Sequence, residues 1–290
     1  MRGRVGSRVR NSATRVFNRA LFYFTERTKG TPIYIEGGLG SQLLAMMEFI
    51  SRRDAGGDVF LETSYFDEAI ETPQVDRSGY FIRPWELHRY GFDLEKIPKA
   101  KTRGRLPYEA SAPRHLPFFQ GLDGRRFLKL FPVVPETATA VKSLGLSPQG
   151  ELVPYAAIHC RRGDYLAVAS KIVALADVLV LVRQIAPLLP RTIVFTSDTD
   201  LDARERREVE LRLEGHTVVW LPSQLDPHVV HGVLRLSSIL ITSNSTFSLT
   251  AGILKEDADT TVFMPTSFHS NDYPQLNQLS QALGAWSILR

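Results

Sequence analysis

The sequence predicts an α/β protein whose second half is a parallel sheet with helices on both faces. Two observations carry this. From residue 155 onward, short apolar runs alternate with amphipathic or charged segments of helix length, the pattern of successive strand–helix units. Earlier, Ile33-Tyr34-Ile35 leads into the glycine turn Gly37-Gly38-Leu39-Gly40 and a helical run from Ser41 to Arg53, which reads as a first unit of the same kind.

The elements follow in order. In the first half the strand at Ile33–Ile35 and the helix at Ser41–Arg53 are followed by a strand at Val59–Thr63. Between residues 70 and 130, Pro84, Pro98, Pro107, Pro113 and Pro117 interrupt any long element, so irregular walls are expected there. Leu144 to Glu151, with Gly145, Pro148 and Gly150, is the expected linker. Beyond it, strands are expected at Tyr155–Ile158, Thr192–Thr196, Thr217–Leu221, Ile239–Thr242 and Thr261–Met264. Helices are expected at Val173–Leu189, Asp202–Glu214, Val229–Leu236 and Thr246–Leu254. The predicted organisation is an arm over 1–30, an α/β domain over 31–150 and a second over 151–290, with a cleft between the two domains.

Composition narrows the function classes. Apolar residues make up 43% of the 290 and charged residues 23%, enough for sizeable cores in a soluble protein. The formal charge of +4 is unevenly placed. The first thirty residues hold eight cations against Glu26 alone, a net +7, which leaves −3 for the rest of the chain. A basic arm on a mildly acidic body gives no case for nucleic-acid binding. Within the arm, Val9, Ala13, Val16, Phe17, Ala20, Leu21 and Phe24 fall at helical spacing opposite Arg8, Arg15 and Arg19. Such a helix over residues 8–24 suits either packing on the body or peripheral contact with an anionic membrane. The single cysteine, Cys160, excludes an intrachain disulfide. With no run of eighteen apolar residues and no signal-peptide core, a cytoplasmic location is expected, with the inner membrane face as the site of any peripheral contact.

In an open α/β sheet, ligands lie beyond the carboxyl ends of the strands, and three polar clusters fall there. The first is His159-Cys160-Arg161-Arg162-Gly163-Asp164. Adjacent guanidinium forks match phosphate oxygens, a glycine lets backbone approach closely, and an aspartate can orient an arginine or a sugar hydroxyl. Arginines paired with local acids on an ordinary surface loop are the competing explanation. The second is Thr196-Ser197-Asp198-Thr199-Asp200, where Asp198 could bind a base edge or ribose hydroxyls, or the segment could cap the next helix. The third is Thr242-Ser243-Asn244-Ser245-Thr246, at the start of a helix carrying Phe247. Its hydroxyls and helix-start amides form a neutral phosphate cradle, more small polar residues than a cap requires. The glycine turn at Gly38 and Gly40 lacks both the Walker and the Rossmann spacing; it could close over a phosphate or an acceptor. His228 and His231 are expected to be structural, and Met46-Met47 to be core.

These segments together resemble the α-1,2-fucosyltransferase family and the wider superfamily that uses GDP-fucose. The family's motifs appear in order as GGLGSQL (Gly37 to Leu43), HCRRGDY (His159 to Tyr165), TSD (Thr196 to Asp198) and SNSTFS (Ser243 to Ser248). The resemblance spans residues 33 to about 265. Ser41 stands where the family has Asn, and Leu249-Thr250 where it has paired tryptophans. The resemblance implies a GT-B-like pair of Rossmann-like domains that transfers L-fucose from GDP-β-L-fucose to a glycan hydroxyl, such as a galactoside 2-OH. Inversion, with no essential metal, is implied too. Arg161 would hold the β-phosphate; the general base stays open on the residues themselves, with Asp164 and Glu36 as the candidates. His159 and Asp198 would contact the nucleoside side, and Ser245 and Thr246 the phosphates. Gly38, Gly40, Arg162, Ser243 and Asn244 complete the expected donor site. Transfer of another nucleotide sugar, or binding without turnover, are the alternatives.

Overall fold

A computed structural model describes residues 30–63, 65–66, 83–97, 124–163, 173–257 and 260–265, with the backbone of 286–289. The basic arm and Asp164 lie outside the described residues. The chain forms two compact units, one comprising residues up to 122 with 126–132, the other 123–125 with everything from Val133 onward.

In the first unit, β1 (Thr31–Tyr34) and β2 (Val59–Glu62) pair in parallel. The helix α1 (Leu39–Asp54) makes the connection between them. A parallel pair needs such a crossover, because both strands must run the same way. Leu43, Met46 and Met47 are fully buried on α1, so the two methionines are core as their spacing implies. Gly37 turns the chain with a φ of +69°, a left-handed conformation that suits glycine. Buried Gln42 locks this turn. Its amide donates to Gly37 O at 2.7 Å and Pro84 O at 2.8 Å, and its oxygen accepts from the Glu86 N–H. The proline-rich stretch that follows has short 3-10 turns at Leu87–Tyr90 and Leu94–Lys96 among its described residues. Tyr90, Phe92 and Phe127 gather around the buried Phe131 ring.

The second unit opens with α2 (Glu136–Ser143). Next come β3 (Tyr155–Cys160), α3 (Leu175–Ile185), β4 (Thr192–Ser197), α4 (Ala203–Arg212) and β5 (Thr217–Trp220). The remainder is α5 (Pro227–Leu236), β6 (Ile239–Ile241), α6 (Thr246–Ile253), β7 (Thr261–Pro265) and β8 (Trp286–Leu289). The sheet order is β5-β4-β3-β6-β7-β8, parallel throughout except for β8, which runs antiparallel to β7. Side chains alternate between two cores, as strand geometry requires. Ala156, Ile158, Ile193, Phe195, Ile239 and Ile241 pack with Val178, Leu181, Val182 and Val209 from α3 and α4. Tyr155, Ala157, Val194, Leu240 and Val262 pack with Val141, Val230, Val233 and Ala251 from α2, α5 and α6. The expected α/β class and two-faced sheet are what the second unit shows.

Two differences from the sequence reading have clear causes. Leu146 is buried in the core beside α5, and the Val153 N–H bonds back to Leu146 O at 2.9 Å. Residues 144–151 are therefore a packed turn within the second unit, and the chain passes between units at Pro132–Val133. The unforeseen α2 belongs with α5. A Cβ on Gly232 would lie 2.3 Å from Thr137 Oγ1, so a glycine is what lets these helices approach. At the far ends of α5 and α6, buried Lys255 donates to Leu234 O, Arg235 O and Ser237 O, while Arg235 Nε donates to Leu254 O. Carbonyls that a helix end leaves without intrahelical donors are thereby satisfied. Among the described residues, no helix is long and apolar enough to cross a membrane.

Candidate functional site

The sheet order reverses at β3: the chain leaves it for β4 on one side and later returns to β6 on the other. Such a switch point leaves a crevice beyond the strand ends, because the connections depart in opposite directions. The three polar clusters meet there. His159 sits within β3, with Arg161–Gly163 directly after it; Asp198 follows β4; Thr242–Ser245 follow β6.

His159 joins the first cluster to the third. Its Nδ1 lies 2.8 Å from Ser243 Oγ, and its ring is 5.4 Å from the Phe247 ring. Only 3% of His159 is exposed. Burial, helped by the Arg161 charge, pulls its pKa down to about 3. It is therefore neutral near pH 7, a poor general acid, and suited to holding Ser243 in place. The third cluster is also tied to itself. The Ser243 N–H donates to Ser248 Oγ at 3.3 Å, and Ser245 caps α6 by accepting from the Phe247 N–H. Asn244 and Ser245 are buried, Thr246 is half-buried, and all stand at the amino end of α6, where helix amides favour an anion.

Both arginines of the first loop meet acids. Arg161 Nη1 is 2.9 Å from Asp198 Oδ2, and the Arg162 N–H donates to Asp198 Oδ1 at 2.7 Å. Arg162 Nη1 is 2.6 Å from Glu205 Oε2. Glu205 also accepts from the Asp202 N–H, and Asp202 accepts from the Glu205 N–H, a reciprocal capping box that opens α4. The Arg162 pair holds the Glu205 carboxyl below its usual range, and Glu205 in turn raises Arg162. Arg162 thus anchors the loop to α4. The cap of α4 is Asp202 rather than any residue of Thr196–Asp200, leaving Asp198 to the arginine loop.

Gly163 packs against this carboxylate: an added Cβ would sit 2.3 Å from Asp198 Oδ2. Gly163→Ala should push Asp198 off at least one partner. The expected loss is about 1–2 kcal/mol, that of a partly exposed hydrogen bond to a charged acceptor, read as a lower urea midpoint. An unchanged midpoint would mean the carboxylate relocates without cost.

No family model matches the chain, and no curated protein matches it in sequence. Among solved structures, the chain is similar to POFUT1 in its apo form, with a TM-score of 0.42 and 11% identity over 82% of this chain and 98% of that one. A POFUT1 structure in complex with GDP-fucose gives a TM-score of 0.42 and 11% identity over 80% and 96%. Likeness of this degree assigns neither a site nor a substrate.

Gly38 and Gly40 belong to the first unit. Gly38 occupies the N-cap position of α1, and Gly40 is buried in the first turn of that helix. His231 is buried on α5, with Nε2 3.1 Å from Thr250 Oγ1 and its ring edge-on to Phe247 at 5.3 Å. His228 is buried on the same helix. Among the described residues, no cluster of His, Cys, Asp or Glu is arranged to hold a metal ion. One contributor, Glu205, went unforeseen in the sequence; it was readable as the last residue of an Asp-x-x-Glu capping box. Phe247 and Ser248 were present in the SNSTFS segment, but their contacts to His159 and Ser243 were not foreseen.

Proposed function

We propose that the chain is an inverting glycosyltransferase that transfers L-fucose from GDP-β-L-fucose to a hydroxyl of a glycan acceptor. The observation that carries this reading is the convergence of Arg161, His159–Ser243 and the amino end of α6 at one switch point, from segments that match the fucosyltransferase motifs in order. A diphosphate leaving group needs positive potential as its bond to the sugar breaks. Arg161 offers a fixed guanidinium, and the start of α6 offers amides and the Ser245 and Thr246 hydroxyls. In this reading the departing charge is met by these groups, and no metal ion is required. Arg162 and Glu205 hold the loop in register. Asp164 lies outside the described residues and is given no step.

The test is release of GDP from GDP-β-L-fucose with a galactoside acceptor, run beside GDP-mannose and UDP-galactose. Acceptor-dependent release from GDP-fucose alone is expected. Leu249-Thr250 stands where the family has paired tryptophans, a departure that bears first on the acceptor and then on the donor sugar; the second reading is a different donor sugar. Turnover of GDP-mannose or UDP-galactose in place of GDP-fucose would establish it. Donor binding without any release would identify a binding protein instead.

A further inference from the structure

We propose that Asp198 is a positioning residue, which fixes Arg161 and the loop amide so that the guanidinium meets a β-phosphate, rather than a contact to the nucleoside. This rests on the nucleotide-sugar reading above and deepens it.

The two carboxylate oxygens have separate duties. Oδ1 accepts the Arg162 N–H at 2.7 Å, fixing the backbone one residue beyond Arg161; Oδ2 sits 2.9 Å from Arg161 Nη1, fixing the guanidinium itself. Gly163 seats against Oδ2 with no room for a Cβ, so the loop closes around the carboxylate on three successive residues. Both donors that reach this carboxylate come from the arginine loop, one on each oxygen. Its charge would oppose a nearby diphosphate, and the pairing with Arg161 offsets that charge. Holding an arginine suits it better: an ordered guanidinium loses less freedom when the anion arrives.

Asp198→Asn separates these roles, because its amide oxygen can still accept the Arg162 N–H while its NH2 group no longer attracts Arg161. Calorimetric titration with GDP and with GMP reads the difference, in the wild type and in the Arg161→Ala background. GDP affinity should fall about tenfold in Asp198→Asn, a coupling of ordinary size for contacting residues, with GMP affinity unchanged. In Arg161→Ala the same substitution should change neither. Equal loss of GDP and GMP affinity would overturn the proposal, since it would place Asp198 on the nucleoside. So would a gain in GDP affinity, or any effect that persists without Arg161, since those are marks of simple charge repulsion. Amide exchange of the loop gives a readout free of nucleotide: Asp198→Ala should speed exchange over residues 161–163, and unchanged exchange would likewise overturn the clamp. A wild type that binds no GDP would sink the nucleotide-sugar reading and this role with it. GDP binding without the GDP–GMP split would sink this role alone.

Discussion

Arg161→Ala is expected to slow the proposed fucosyl transfer by about 10²–10³-fold, or ~3–4 kcal/mol of transition-state stabilisation, the scale of removing one preorganised donor from a developing anion. The fold should survive, because Arg161 lies beyond β3, whose buried residues Tyr155–Ile158 keep their partners in both cores. Asp198 would still accept the Arg162 N–H. Arg161→Lys should recover only part of the rate, since an ammonium cannot engage Asp198 and a phosphate through one planar fork. Single-turnover rates at saturating donor, with a melting curve for each variant, check this. Near-normal turnover in Arg161→Ala would remove Arg161 from the chemistry.

The second large effect concerns acid. Burial holds His159 at a pKa of about 3 against an ordinary 6.5, and His231 well below that ordinary value, by burial first and then by the nearby Arg235 charge. Between about pH 3 and 6.5 the unfolded chain binds the proton on His159 and the native chain does not. The unfolded state then holds more protons, so stability rises with pH across that window and is lost as pH falls through it. Above about pH 6.5 both states are neutral and this contribution is complete. For His159 the full window is worth on the order of 5 kcal/mol. Urea midpoints measured from pH 7.5 to 4 should therefore fall steeply in the wild type. His159→Asn, which can keep a hydrogen bond to Ser243, should start less stable but fall less steeply. Parallel slopes for the two proteins would contradict the assignment.

Much of the second unit could be read from the chain. Its central strands are buried on both faces, so Tyr155–Ile158, Thr192–Thr196 and Ile239–Thr242 appear as compact apolar runs rather than alternating ones. Their ends place His159, Asp198 and Ser243 at the carboxyl ends of strands in one sheet, as the structure shows. The strand order was beyond the sequence, and with it the fact that β3 and β6 are neighbours. So was β8: a short apolar segment near the carboxyl terminus is ambiguous until its pairing with β7 is known. The helix expected at Val173–Leu189 is shorter because Pro187 cannot continue an α-helical ladder, and Ala186–Leu188 tightens into a 3-10 turn.

At the site, the sequence showed which residues were chemically suited to an anion but not which acids they meet. Asp198 and Glu205 stand 36 and 43 residues from Arg162, and only the placement of β4 and α4 beside β3 brings them together. This matters for function. Two adjacent arginines are chemically alike, and the resemblance alone set Arg161 apart; their partners divide them. Arg162 is committed to the capping box of α4, and Arg161 shares Asp198 with the backbone of its own loop.

The most direct measurement is thermal stability of the full chain in GDP, UDP and ADP, each over the same concentration series. A guanosine diphosphate site predicts a rise for GDP that grows with concentration. At a hundredfold excess over Kd it stabilises the fold by about 2.7 kcal/mol, a shift of several degrees. UDP and ADP should shift the transition much less. Equal shifts for the three nucleotides, or none for GDP, would contradict the assignment of this crevice to a GDP-sugar donor.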